Sequence, residues 1–490
     1  MSLSKIFKIA GNEIFKNFAK LGTWFVVGIV VLNCLLFGII NLVGNYIERA
    51  DTRSSIVTTI SNLEDGTYAA QDENGNPIEE SAALAKEQAA ILRDLLNKKV
   101  VFTDWRYRAL RAVSNLTDNI GSIGAGGISG SFQSVISSVM GGTVDENTIK
   151  YVQNNDWAGY MGYNIGLLKA GILSQNAISD PTAQTRIDLM QIQLNNQLKD
   201  PWADNLIEQI ISSESQIDSL NAQINDTTLA QKEINAAKKE KGLVTQIAQM
   251  DRYALENSVP PAEGFSFLAF YNSSSTSISI VMILAILLAA GIMAAEFSSG
   301  TIKLLAITPY SRVKLLYGKY TAALGISAGY LVLQAVVMFI VGVVFIGGKG
   351  MFTPYLSVVG GKVAESSYLL HILGNYALGL VPIIMCVTLA YMVSTLLRSN
   401  VWAIVVSFAA YFLGSLLMTV FAVLRWDISR FWIFNNTNLA IYFDVNTRLS
   451  MLQITPTNYP SLLFSLAMIC AYLIIFHAAI YFSFTKRDIA

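Results

Sequence analysis

Six apolar stretches, near residues 23–44, 276–295, 320–346, 372–396, 401–424 and 461–484, constrain this chain more than any other feature. A helix rising about 1.5 Å per residue needs roughly 20 apolar residues to cross a hydrocarbon core of about 30 Å. Each stretch meets that length and is nearly free of Asp, Glu, Lys and Arg. Lipid is therefore the expected solvent for much of the molecule, in keeping with 53% apolar and only 14% charged residues, against roughly 25% charged in typical soluble domains. The first stretch is longer than the roughly 7–15 apolar residues of a signal sequence and is followed by VGNYIERA, which offers no small-residue cleavage site, so it is expected to stay as an anchor. The expected fold class is an all-α membrane protein: six transmembrane helices, an N-terminal interfacial helix over 1–22 and a large, mainly helical domain over 46–274.

Basic residues near span ends set the expected orientation, because they are retained on the cytoplasmic side. With both termini inside, the cytoplasmic pieces hold 11 Lys and Arg against Glu13, Glu296 and Asp488, a net +8, whereas the 46–274 insert holds 18 basic and 28 acidic residues, a net −10. This balance suits an exported domain, a multi-pass protein of a bacterial plasma membrane and a short cytoplasmic tail over 485–490. A formal net charge of zero speaks against nucleic acid as a partner. Ahead of the first span, Leu3, Ile6, Phe7, Ala10, Ile14, Phe18 and Leu21 share one helical face, and Lys5, Lys8, Asn12, Lys16 and Lys20 share the other. That division predicts an interfacial helix lying on membrane lipid.

The insert, 229 residues long, exceeds any ordinary loop and must have a core of its own. A helix is expected over Ser81 to Val113; Leu206, Ile210, Ile217, Leu220 and Ile224 then follow a short heptad-like rhythm. This predicts an antiparallel helical hairpin turning at Asn225 to Thr228 and returning over Ile234 to Leu255. TYAAQDENGNPIEE reads as a β-hairpin around Asn74-Gly75 or an exposed loop. Its Asp72, Asn74 and Asn76 open like a calcium loop, but Ala83 stands where the closing Glu belongs, so a turn is the better reading. GSIGAGGISGS, residues 121–131, lacks the Gly-Lys-Ser/Thr ending of a phosphate cradle and is expected to be flexible or closely packed backbone.

The segment after the second span, AAEFSSGTIKLLAITPYSRVKLLYGKY at residues 294–320, carries the most specific pattern. Glu296 ends the span, Gly300-Thr301 interrupts the chain, an apolar-basic helix follows, and Pro309-Tyr310-Ser311-Arg312 leads into span three. This resembles the inner loop of type-2 ABC transporter permeases, in which an E-x-x-x-G-T segment and a later Ser-Arg/Lys pair flank the surface that meets the ATPase subunit. The resemblance implies that Glu296, Gly300, Thr301, Lys303, Pro309, Ser311, Arg312 and Lys314 form an ATPase-coupling loop within 296–319. It further implies an ABC ATPase subunit and a second or homologous permease copy as partners. By themselves the basic residues of this loop also satisfy the positive-inside rule.

No Walker A sequence is present, and Gly342 through Lys349 fails its spacing, so ATP and Mg are expected on the partner subunit, with no cofactor or metal on this chain. Nor does any nucleophile-base pair or metal-spaced His/Cys set lie at a membrane face, which argues against an enzyme. Within the spans, Asn33, Asn41, Gln334, Asn375 and His477 are candidates for a substrate route, with interhelical hydrogen bonding as the competing explanation. The segment over 425–460 is too aromatic for a simple loop; short re-entrant helices and a surface helix both fit it. The expected function is export of an amphipathic substrate, such as an antimicrobial peptide or lipid-like compound. A non-transporting envelope docking or secretion-accessory protein, similar to the phage-infection proteins, is the alternative.

Overall fold

The computed structural model describes residues 3–19, 21–69, 78–110, 144–174, 182–262, 264–298, 311–397, 399–424, 427–454 and 460–485. Six segments among them are long and apolar enough to cross a membrane: Leu21–Glu64, Phe267–Glu296, Arg312–Phe345, Tyr368–Leu397, Val401–Phe421 and Leu462–Thr485. Each overlaps one of the six apolar stretches, and the chain is an all-α membrane protein. The expectations at Asp72 to Asn76, at residues 121–131, and at Gly300, Thr301, Lys303 and Pro309 lie outside the described residues.

Helix α1 (Leu3–Phe18) leads into α2 (Leu21–Glu64), which is 44 residues long. At about 1.5 Å per residue, α2 is roughly twice as long as a bilayer core is thick. The first span is thus the lower part of a shaft that continues, without a break at residue 44, into the insert. Its upper end packs Ile56, Ile60 and Leu63 against Ala85, Ala89 and Leu92 of α3 (Glu79–Asn97). The helix expected to run from Ser81 to Val113 stops at Asn97, where Lys99 adopts a positive φ of 54° and the chain turns; helical backbone resumes at residue 105. Buried Gln88 satisfies backbone groups there, its amide donating to Leu110 O and its carbonyl accepting from Val144 N at 3.1 Å.

Three shorter helices follow, α4 (Glu146–Gln153), α5 (Trp157–Ser174) and α6 (Thr182–Asn195). The predicted hairpin is then formed by α7 (Pro201–Asn225) and α8 (Gln231–Glu256), turning at Asp226-Thr228. Leu206, Ile207 and Ile210 pack with Ala254 and Leu255 near its base, and Leu220 with Ala237 and Val244 near its tip.

Span two is a broken helix, α9 (Phe267–Thr276) and α10 (Ser279–Ser298). Span three is α11 (Arg312–Phe345). Span four also breaks, at Gly379, between α12 (Tyr368–Leu378) and α13 (Leu380–Leu397). Pro382 falls in the first turn of α13, where a missing N–H leaves no helical hydrogen bond unmade. Span five is α14 (Asn400–Val423) and span six α17 (Leu462–Thr485). Without a hydrophobic driving force in lipid, packing rests on small residues and hydrogen bonds. Ala285, Ala289, Ala290 and Ala294 line α10 and are fully buried. Opposite them on α13, the Ser394 hydroxyl donates to Ala290 O at 2.7 Å and accepts from Ala294 N at 2.9 Å. Spans one and five instead expose apolar side chains such as Leu36, Ile40, Leu413 and Leu416, faces suited to lipid.

Between spans three and four lies a two-stranded antiparallel hairpin, β1 (Pro354–Val359) and β2 (Lys362–Ser367), with Val359 opposite Lys362. Gly360 and Gly361 take φ of +61° and +80°, the two positive values that a two-residue hairpin turn requires. The segment between spans five and six folds as short helices: two 3₁₀ turns (Asp427–Phe431 and Leu439–Phe443), α15 (Ile433–Thr437) and α16 (Val445–Ile454). These elements buttress the insert. Leu356 of β1 packs near the base of the hairpin and Leu449 of α16 near its tip, while the Tyr253 hydroxyl donates to Glu365 of β2 at 3.2 Å.

Candidate functional site

The 16 residues of α1 have three faces rather than the two that the sequence suggests. Ile6, Ile9, Ala10 and Asn17 are buried against the bundle, Phe7, Phe15 and Phe18 are exposed, and Lys8 and Lys16 follow on the third face. The buried face lies on the beginning of α11. Gly318 permits this approach, because a Cβ there would stand 2.5 Å from Ile9 Cγ2. One further residue of that face is charged: Glu13, one turn beyond Ile9.

Glu13 meets Lys319, the residue after Gly318. Lys319 is 1% exposed, and its ammonium lies 3.1 Å from Glu13 Oε1 and 2.9 Å from Glu296 Oε1. Lys16 Nζ adds a longer contact to Glu296 at 3.8 Å. A buried ammonium is costly unless paired and hydrogen-bonded; here two carboxylates supply the pairing. Glu296 stands in the last turn of α10, where negative charge is opposed by the helix dipole, and Lys319 offsets that cost. The same pair bridges the helices on either side of the segment between spans two and three, Glu296 two residues before the end of α10 and Lys319 seven after the start of α11. One cluster therefore fastens α1, the end of span two and the start of span three together.

Among the residues expected to couple to an ATPase, Glu296 is half-buried within this cluster, Ser311 and Arg312 are exposed, and Lys314 is half-buried. Ser311 takes the N-cap position of α11 without a side-chain capping bond, and Arg312 and Lys314 occupy the first turn. Neither basic residue makes an ion pair among the described residues. Glu13 and Gly318 were not singled out by sequence. A glycine inside a helical run costs roughly 1 kcal/mol relative to Ala and points to close packing, which is the signal that was available at Gly318.

The five polar span residues do not share one place. Gln334, 1% exposed, donates to Ser274 O at 3.3 Å and Ser277 O at 3.1 Å, occupying carbonyls left by the break in span two. Asn375 donates to Asn272 Oδ1 at 3.2 Å on the same broken segment and lies 3.3 Å from His371 Nε2. His477 is on span six, its Nδ1 2.9 Å from Leu473 O, with its ring stacked on Tyr317 and edge-on to Tyr320. Asn41 donates to Phe37 O at 2.8 Å in its own helix, and Asn33 is half-buried on the same shaft.

Two relatives in Bacillus subtilis (strain 168) are similar to this chain. One, "Uncharacterized protein YhcI", is 28% identical over 262 residues, 53% of this chain and 80% of the relative. The other, "Uncharacterized membrane protein YdbK", is 28% identical over 226 residues, 45% of this chain and 82% of the relative. No solved structure is significantly similar. Residues 239–490, which contain spans two to six, most of the second helix of the hairpin and both Glu296 and Lys319, match the family described as "Protein of unknown function (DUF2705)". That match takes in more than half of the chain, and the chain belongs to this family.

Proposed function

We propose that this protein is the membrane-spanning permease subunit of an ATP-driven exporter of the type-2 ABC class. In this reading both termini and the 296–319 loop face the cytoplasm of a bacterial cell, and the insert stands outside the plasma membrane. The observation that carries the proposal is the ion-paired clasp at the base of the loop. A permease with no nucleotide site of its own must take up force through a surface that moves as one body. The Glu13–Lys319–Glu296 cluster joins α1, the end of span two and the start of span three into such a body. At Arg312 and Lys314 the dipole at the start of α11 opposes positive charge, and neither residue makes an ion pair among the described residues. Their use lies outward, toward the acidic surface of a partner. ATP and Mg belong to that ATPase subunit, and a second permease copy or a homologous permease completes the transporter. The cargo is an amphipathic compound, such as an antimicrobial peptide or a lipid-like molecule.

The test is co-purification with an ABC ATPase subunit from the same cell, followed by measurement of ATP turnover with and without the permease in lipid nanodiscs. A stable complex with turnover changed by the permease supports the proposal. A permease that neither retains the ATPase nor alters its turnover points instead to an envelope docking or secretion-accessory role.

A further inference from the structure

On the insert side of the bundle, spans two, four and five and the short helix α15 enclose a cavity of about 260 Å³. Its lining changes character with depth. At the deep end are Ile286, Met385 and Leu389, about two to three turns beyond the breaks in spans two and four. Toward the insert are Ser275, Thr276 and Asn375, on the insert side of the breaks in spans two and four, together with Thr437 and Asn438 at the end of α15. No Asp, Glu, Lys, Arg or His lines it among the described residues. The roof is a built feature. The Phe434 ring enters span five over Gly414, where any side chain would collide with it, and the Trp432 indole donates to Gly414 O at 2.9 Å. Asn436 holds α15 to the neighbouring turn and to span six through Arg430 O, Trp432 O and the Ser465 hydroxyl.

We infer that this cavity binds a single-chain amphiphile whose head group is uncharged, with the chain toward the membrane centre and the head among the hydroxyls and amides at the mouth. A mostly apolar lining whose polar groups, Tyr411 and Ser415 of span five included, are all uncharged matches that polarity. A charged head would be desolvated at a mouth with no opposite charge to meet it. The volume lies below the roughly 300–1,000 Å³ of pockets for drug-sized ligands, so it admits one chain rather than the two tails of a phospholipid or a folded peptide. As the loading site for cargo this rests on the exporter reading; as a binding site it stands on the cavity alone.

The full-length protein in phosphatidylcholine nanodiscs provides the test. The probes are a monoacylglycerol with a photoreactive diazirine in its chain, the trimethylammonium compound with the same chain, and a phosphatidylcholine bearing the diazirine in one tail. Adducts are mapped by mass spectrometry. The monoacylglycerol is expected to label Ile286, Met385 and Leu389 at least about ten-fold more than either other probe, and excess unlabelled monoacylglycerol is expected to remove those adducts. Cys386→Trp, which fills the cavity from its wall, is expected to remove them too while leaving adducts at lipid-facing Leu413 and Leu416. Equal or stronger floor labelling by phosphatidylcholine or by the cation overturns the inference, as does floor labelling that excess monoacylglycerol does not reduce. Because no ATPase is present, loss of transport coupling in other experiments leaves this result standing, and the reverse holds as well.

Discussion

Lys319 is the residue on which most depends. With 1% of its surface exposed and two carboxylates within 3.1 Å, it is a buried charge whose cost has already been offset. Lys319→Met leaves Glu13 and Glu296 facing one another and is expected to cost about 3–5 kcal/mol, seen as a lowered unfolding midpoint in detergent. Replacing Glu13, Lys319 and Glu296 together by Met should recover most of that loss, because buried ion clusters are often matched in stability by packed apolar side chains. Failure of the triple variant to recover would mean that the cluster does more than neutralise itself. In the insert, burial raises the pKa of Asp104, but hydrogen bonds from the Arg106 side chain and backbone outweigh it and hold the carboxyl below its usual range. A carboxyl lowered in this way contributes stability that is present above its unfolded pKa of about 3.9 and is lost as the pH falls through the folded value. The acid unfolding transition of Asp104→Asn, followed by circular dichroism, should therefore lack that part of the wild-type dependence. Such pairings are hard to read from sequence: Glu13 and Lys319 are 306 residues apart, and only the packing of α1 on α11 brings them together.

At the level of elements, the spans and the hairpin of α7 and α8 were legible because each depends on a local pattern, a long apolar run in one case and a heptad rhythm in the other. The course of α2 beyond the bilayer was less so. Once the residues turn polar after position 44, nothing local distinguishes a solvated helix from a loop. The β1-β2 turn did carry a signal, Gly360-Gly361 between valines and Lys362-Val363, in the pattern of a two-residue hairpin. The third face of α1 was hidden because a two-sided wheel assumes lipid and water as the only surroundings, whereas protein forms the third. This docking yields a direct prediction. Gly318→Val places side-chain atoms where Ile9 stands, and should lift α1 from α11. Hydrogen exchange over residues 3–18 is expected to quicken, with little change in the amides of span four. Unchanged protection of α1 would show that it is held by lipid rather than by the bundle.

For the whole molecule, the structure joins two halves of different solvent. A rigid shaft from the first span enters the insert, the insert rests on the loops between spans three and four and between five and six, and the ion cluster ties the opposite end of the bundle. Orientation is a property at this scale. With the three native cysteines replaced, a membrane-impermeant thiol reagent applied to intact cells should label Ser215→Cys in the insert and spare Ser311→Cys beside the loop. Contact between the inner loop and an ATPase is open to test at Arg312, which is exposed and without an ion pair among the described residues. Arg312→Ala should change the stability of the permease by no more than about 0.5 kcal/mol. The decisive measurement is ATP turnover of the reconstituted complex, parent against Arg312→Ala with Lys314→Ala, alongside binding of the ATPase. Weaker binding, or turnover that no longer responds to the permease, is expected, whereas a doubly substituted permease that binds and stimulates like the parent would show that this end of span three does not meet an ATPase.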